Sequence, residues 1–225
     1  MMINVFIDIE TIGTGWYLEQ LQADIKAPGN YKNPEAILKW FEENGTQARE
    51  NAHKAAALSP FCQIVCICYA VGDGPIVKVY DTNEELLLIN FTQRLRKDLT
   101  EPLKGFCNPR YVGHNILGFD LPRLFQRCLV NGIDPDIVRI KSPALLKGWD
   151  DCYFDTMNVW CGRDYKGNSL ANLCREFGIE DKCPDMDGSK VWPLYQEGRL
   201  AEIADYCAND VARVRELAKR MGGGG

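Results

Sequence analysis

The stretch that decides the fold is "FIDIET", residues 6 to 11, close to the amino terminus. Side chains alternate along a strand, so Ile3, Val5, Ile7 and Ile9 share one face while Asn4, Phe6, Asp8 and Glu10 share the other. Because Phe6 lies on the second face, both sides stay apolar until the final residues, the pattern of a central strand covered by helices. Asp8 and Glu10 then point the same way where the strand emerges. Such a pair is either a solvated face or part of a metal site, and companions elsewhere in the chain must decide.

Composition narrows the class. The chain has 225 residues, 46% of them hydrophobic, enough to bury a full core as one domain with an appendage. No stretch approaches the roughly 20 apolar residues of a membrane span. The start "MMINVFIDIE" lacks a basic segment followed by an apolar run and a cleavage site, so a cytoplasmic location without membrane partners is expected. The 10 cysteines scatter through apolar segments and read as reduced thiols. Cys62, Cys66 and Cys68 fall on one face of "CQIVCICYAV", whereas zinc sites usually draw a close ligand pair from a tight turn, which favours a core role. Cys174 and Cys183 have no companion pair and read the same way. The net charge of -5 argues against a protein that coats nucleic acid, but not against a nuclease, whose carboxylates are cancelled by metal ions.

Along the chain, residues 12 to 32 are rich in Gly and polar residues, and "NPEAILKWFEENG" then marks a helix: Asn33 caps, Pro34 suits the first position, and Gly45 is a stop. A second helix is expected from Thr46 to Leu58, ended by Ser59-Pro60. The whole of 13 to 59 is thus a helical insertion after the first strand. It carries Lys39, Arg49, His53 and Lys54, which make either a basic ridge or a solvated helical face. Residues 62 to 71 and 75 to 81 read as a hairpin, which completes an antiparallel meander with the first strand. Asn83 caps a helix to about Lys97, "RYVGHN" is a short strand, and a helix runs from near Leu121 to Gly132. Residues 143 to 166 are irregular apart from "YFDTMNVW", a short extended element; "NSLANLCREFGI" is a capped helix, and 198 to 220 form the last and longest one. Together these predict an α/β fold with a mixed sheet flanked by helices, one domain over residues 1 to 221 and a Gly tail at 222 to 225.

The last helix has a buried stripe of Leu200, Ile203, Cys207, Val211, Val214 and Leu217, with Tyr206 and Asp210 stacked four apart at its border. Either these two reach a cleft or they are a boundary Tyr and a solvated Asp. "GFDLPRL" offers Asp120, which sits well as a helix N-cap and equally well to face a metal. Asp155, in "FDT", reads as a packing or capping residue.

Taken together, "FIDIET", "YVGHNILGFDLPRL" and "YCANDVARV" resemble, in order, the three motifs of the DEDD superfamily of 3′-5′ exonucleases, which has an RNase H-like fold. The likeness is closest to the proofreading domain of family B DNA polymerases and spans most of residues 1 to 220. The resemblance implies four metal-binding acids, Asp8, Glu10, Asp120 and Asp210, holding two divalent ions, Mg²⁺ or Mn²⁺. By the same likeness Asp8 bridges both ions, Glu10 and Asp210 complete the nucleophile side, and Asp120 holds the leaving-group side through water. Tyr206 stands four residues before Asp210, the mark of the tyrosine subtype, where the hydroxyl orients the attacking water; Asp205 occupies the position that the histidine subtype gives to His. The likeness further implies that Thr11, Ile12, Asn115 and Phe119 touch the terminal nucleotides, Ile12 as an apolar wedge and Phe119 by packing on a base. No polymerase domain is expected after residue 225. The expected function is therefore a free-standing 3′-5′ exonuclease that removes nucleoside 5′-monophosphates from single-stranded or frayed DNA 3′ ends. Its rivals are an exoribonuclease and a non-catalytic module that serves replication or recombination proteins.

Overall fold

The computed structural model describes residues 2–100, 107–147, 150–162 and 168–223. Strand β1 (Met2–Ile12) lies at the centre of a five-stranded sheet of order β3-β2-β1-β4-β5, with β2 at Gln63–Val71, β3 at Val77–Tyr80, β4 at Asn108–Gly113 and β5 at Tyr153–Asp155. β2 and β3 pair antiparallel, as the hairpin reading expects, whereas β1 pairs with β4 and β4 with β5 in parallel. Phe6 sits opposite Val112 and Gly113 opposite Asp155, so the carboxyl ends of β1, β4 and β5 open along one edge. That edge is where sites collect in open α/β sheets.

The alternation read in β1 sorts its two faces. Val5, Ile7 and Ile9 join the main core, with Leu87, Leu88, Phe91, Leu95 and Leu99 of helix α3 (Glu84–Thr100) and Leu121, Leu124 and Cys128 of helix α4 (Asp120–Val130). The opposite face meets the long helix α8 (Leu200–Arg220), where the Cys68 thiol donates to the Ala204 carbonyl and the Cys207 thiol to the Asp8 carbonyl. At its end, Gly222 takes φ 81° and the Gly223 N–H reaches the Ala218 carbonyl at 2.8 Å, a Schellman cap that favours glycine. The Gly223 carbonyl then accepts from the Asn4 amide at 3.1 Å. Gly222 and Gly223 therefore finish the helix where a loose tail is expected, and 224–225 lie outside the described residues.

The stretch expected to be irregular holds more order. A short helix (Thr156–Cys161) follows β5 directly, because the Asp155 carboxylate accepts the Met157 and Asn158 N–H groups and so caps it. Residues 148, 149 and 163–166 of that stretch lie outside the described residues. "NSLANLCREFGI" forms the expected capped helix over Leu170–Glu176, with Ser169 as the cap.

The chain divides into two compact units, residues 11–63 and the remainder. Within the smaller one, Gly15–Ala23 forms a helix where polar loop is expected, and Pro34–Ala57 is one continuous helix rather than two. Asn33 caps it as foreseen, accepting from the Ala36 N–H. Gly45 does not stop it: a glycine within a helix costs about 1 kcal/mol, but without a following Pro or a left-handed backbone the hydrogen-bond ladder continues. Gly13 supports this unit by its lack of a side chain, since a Cβ there would lie 2.6 Å from the Ala56 Cβ and 2.7 Å from the His53 carbonyl. Lys39, Arg49 and Lys54 are exposed and Lys39 lies beside Glu43, whereas the His53 ring accepts the Gly13 N–H. No helix among the described residues is long and apolar enough to cross a membrane.

Candidate active site

Three elements bring the acids together. β1 delivers Asp8 and Glu10 at its carboxyl end, α4 begins with Asp120, and α8 contributes Asp210. Asp120 is not the cap of its helix: Phe119 holds that position, and the Asp120 carboxylate accepts the Ile9 N–H of β1 at 3.1 Å. The hydrogen bond ties the start of α4 to the strand that carries the other acids. Asp210 is only 8% exposed, so the reading of a solvated boundary residue fails.

Burial raises all four carboxyl groups, and repulsion within the cluster adds to it at Asp8 and Glu10. Asp8 is held well above the ordinary carboxylate range by burial and then by Asp120, Glu10 and Asp210. Glu10 is raised in the same way, by burial, Asp210 and Asp120. Burial pushes Asp120 up to about 7, although its bond from the Ile9 N–H works the other way. Asp210 is also raised by burial, with Arg213 and a side-chain hydrogen bond from Tyr206 opposing. The negative charge of this cluster is thus under-compensated among the described residues, and all of its donor atoms at the acids are oxygen. Such a donor set fits hard divalent cations.

Arg213, one turn beyond Asp210, is the feature the sequence reading missed. Its guanidinium donates to Asp210 at 3.0 Å and lies 3.1 Å from Asp181, with 6% of the residue exposed. It fixes one oxygen of Asp210. The signal was present in the sequence as an Asp and an Arg three apart on one helix. Tyr206, half-buried, has its phenol raised by burial and then by Asp210, Glu10 and Asp8. A phenol in that setting keeps its proton. Asp205 takes no such place: it is exposed and paired with Lys78 of β3.

The second motif folds around Asp155 and two glycines. After β4 the chain turns at Asn115, φ 61°, and the Asp155 carboxylate accepts the Asn115 N–H at 2.9 Å and the Leu117 N–H at 3.1 Å. The capping reading of Asp155 is thus met, and the residue also holds the loop that launches Asp120. Gly113 is required by contact, since a Cβ there would fall 1.8 Å from Ile116 Cγ2, and one at Gly118 would fall 2.4 Å from Asn115 Oδ1. His114 is bound through Nδ1 to Thr156 and through Nε2 to the Asn168 carbonyl, a structural role. Phe119 is half-buried with the Arg123 guanidinium 5.4 Å from its ring centre. Thr11 and Ile12 belong to the smaller unit, where the Thr11 hydroxyl donates to the Ala57 carbonyl at 2.8 Å and Ile12 is buried.

A mixed sheet with acids gathered beyond the ends of its parallel strands, and a tyrosine on the last helix beside them, defines an α/β domain of the polymerase-exonuclease type. The chain belongs to the family described as predicted 3′-5′ exonucleases related to the exonuclease domain of PolB, which matches residues 58–214. That match contains Asp120, Tyr206 and Asp210; Asp8 and Glu10 precede it. An uncharacterized protein of Methanocaldococcus jannaschii is 28% identical over 164 residues, covering 70% of this chain and 84% of its own length. The family B DNA polymerase of the archaeon Pyrobaculum calidifontis superposes with a TM-score of 0.59 at 16% identity, which shows the fold. That superposition covers 98% of this chain, and the chain spans 24% of the polymerase.

Proposed function

We propose that the protein is a 3′-5′ exonuclease that hydrolyses the terminal phosphodiester of DNA and releases nucleoside 5′-monophosphates. The observation that carries this reading is the convergence of Asp8, Glu10, Asp120 and Asp210, each raised by burial and set among like charges, beside the Tyr206 hydroxyl. Carboxylates kept in such proximity without matching cations lower stability, which is accounted for if they hold divalent metal. Two ions, Mg²⁺ or Mn²⁺, would neutralise the phosphate, activate a water and relieve the leaving 3′ oxygen.

The chain's own residues have distinct parts in this scheme. Asp8 and Glu10 share a strand face and present their oxygens together, and Asp210 approaches from α8 with one oxygen already fixed by Arg213. Asp120 is oriented by the Ile9 N–H. Tyr206, kept protonated by burial and by the surrounding acids, donates or accepts a hydrogen bond without giving up its proton, and so positions the attacking water rather than deprotonating it. Single-stranded or frayed 3′ ends are the fitting substrates, because the terminal linkage must be free to reach a buried cluster, and Phe119 with Arg123 offers a ring and a cation to a nucleotide.

A 5′-labelled single strand incubated with Mn²⁺ is expected to shorten as a ladder from its 3′ end, and EDTA to stop the reaction. Cleavage that persists in EDTA, or equal cleavage of covalently closed circles, would contradict the reading. Duplex DNA and RNA strands of the same sequence give the substrate preference.

A further inference from the structure

Directly behind the acids lies a second group of metal-capable side chains of different chemistry. Cys66 and Cys68 of β2 place their sulfurs 3.8 Å apart, and Cys207 of α8 completes a set whose three sulfurs all lie within 4.8 Å of one another. All three residues are buried. The spacing expected for two thiolates on one tetrahedral zinc, from bonds of about 2.3 Å, is about 3.8 Å. On the sequence alone Cys66 and Cys68 read as core, because a strand supplies no tight-turn pair; the third sulfur comes from a helix 139 positions further on, and the fold supplies it.

The same Cys207 also belongs to a group with Asp8 and Glu10, whose ligand atoms lie within 4.8 Å of its sulfur and of each other. A tetrahedral ion held by three sulfurs needs one further donor; the two groups share Cys207 alone, so a carboxylate of this pair reaches the ion by turning about its side-chain bonds toward Cys66 and Cys68. Asp8 and Glu10 are partly exposed, which gives an ion a way in from solvent. We propose that Cys66, Cys68 and Cys207 form a thiolate site for one zinc-like ion, closed by a carboxylate of the Asp8–Glu10 pair.

The physical logic is a choice between hard and soft ligands. Mg²⁺ prefers carboxylates and water and leaves thiols alone, whereas Zn²⁺ draws thiolates, and the thiol protons pass to solvent as it binds. The two modes compete for a carboxylate, so zinc in the thiolate site withdraws a ligand from the oxygen site. Zinc is then an inhibitor of the hydrolysis; this consequence rests on the exonuclease reading, but binding itself does not.

The test uses Co²⁺ as the spectroscopic stand-in for Zn²⁺ on the whole reduced protein. Titration is expected to give a sulfur-to-metal charge-transfer band with one equivalent bound, and Zn²⁺ is expected to displace it. Cys66→Ser, with Cys66→Ala as a second variant and circular dichroism to check folding, is expected to weaken Co²⁺ binding roughly 100-fold or more, since loss of even an outer-shell partner costs about 10- to 100-fold. In the nuclease assay, Zn²⁺ added over Mg²⁺ is expected to inhibit the native protein, and Cys66→Ser to escape that inhibition with its Mg²⁺ rate intact. Absence of a thiolate band in folded protein, or the same band and affinity in both variants, would overturn the proposal. A thiolate band in a protein without nuclease activity would keep this site and reject the exonuclease reading.

Discussion

Two acidic loci of the larger unit are built in opposite ways. Glu84, at the start of α3 and 8% exposed, is surrounded by donors: Arg127 Nε at 3.0 Å, the Ile64 N–H at 2.7 Å and the Asn131 amide at 3.0 Å. Its charge is matched where it lies. Asp8 and Glu10 face the other acids of their cluster, and of the four only Asp210 has an arginine partner, Arg213, which also pairs with Asp181. A carboxylate completed by its own chain joins β2, α3 and α4, whereas carboxylates left facing each other await charge from outside. Under the proposed function the contrast separates an acid that serves the fold from acids that would hold metal.

The strongest way to break the comparison is to exchange the consequences of mutation. Asp8→Asn is expected to lower the exonuclease rate by orders of magnitude while the metal-free protein melts at the same or a higher temperature, because a repelling charge is removed. Steady-state rates and thermal melts of the same preparation check both halves. Glu84→Gln is expected to do the reverse: stability falls by about 3 kcal/mol, as Arg127 loses its partner, and the rate per folded molecule stays the same. Urea unfolding with the labelled-strand assay distinguishes the two, and a folded Glu84→Gln protein with a collapsed rate would erase the distinction.

Smaller effects sharpen it. Tyr206→Phe keeps the ring and removes only the hydroxyl, so kcat is expected to drop by up to about 100-fold with little change in melting or Mn²⁺ affinity. An unchanged kcat where chemistry limits the rate would leave Tyr206 a packing residue. The pH dependence of stability follows from the raised carboxyls. A folded-state pKa above its unfolded value gives stability that is present below the unfolded value, near 4, and lost as pH rises through the folded value, about 7 for Asp120. The metal-free protein is therefore expected to melt lower at pH 8 than at pH 5. Mn²⁺ is expected to raise the melting temperature more at pH 8. Asp120→Asn, which retains an oxygen for the Ile9 N–H, is expected to flatten the metal-free profile.

Much of this was legible in the chain. Period-two alternation placed Asp8 and Glu10 on one face, and three-and-four spacing gave the buried stripe of α8, because both patterns are local. What escaped was non-local or marginal. The Asp120 carboxylate bonds a strand 111 positions away, which no capping rule anticipates, and Cys207 meets Cys66 and Cys68 only once α8 packs on the sheet. Gly45 misled because a single glycine weakens a helix without ending it, and Gly15–Ala23 went unseen because its apolar periodicity is weak and none of its residues is buried. The helix after β5 escaped because its cap, Asp155, is itself the last residue of a three-residue strand.

The central claim, that the four-acid cluster is a seat for divalent cations and Glu84 is not, is tested most directly by calorimetric titration of Mn²⁺ at pH 8 into the native protein, Asp8→Asn and Glu84→Gln. Native and Glu84→Gln proteins are expected to bind up to two ions with the same heat, and Asp8→Asn to lose most of that binding. If the native protein took up no Mn²⁺, or if Asp8→Asn bound it as the native protein does, the account of the cluster would be contradicted.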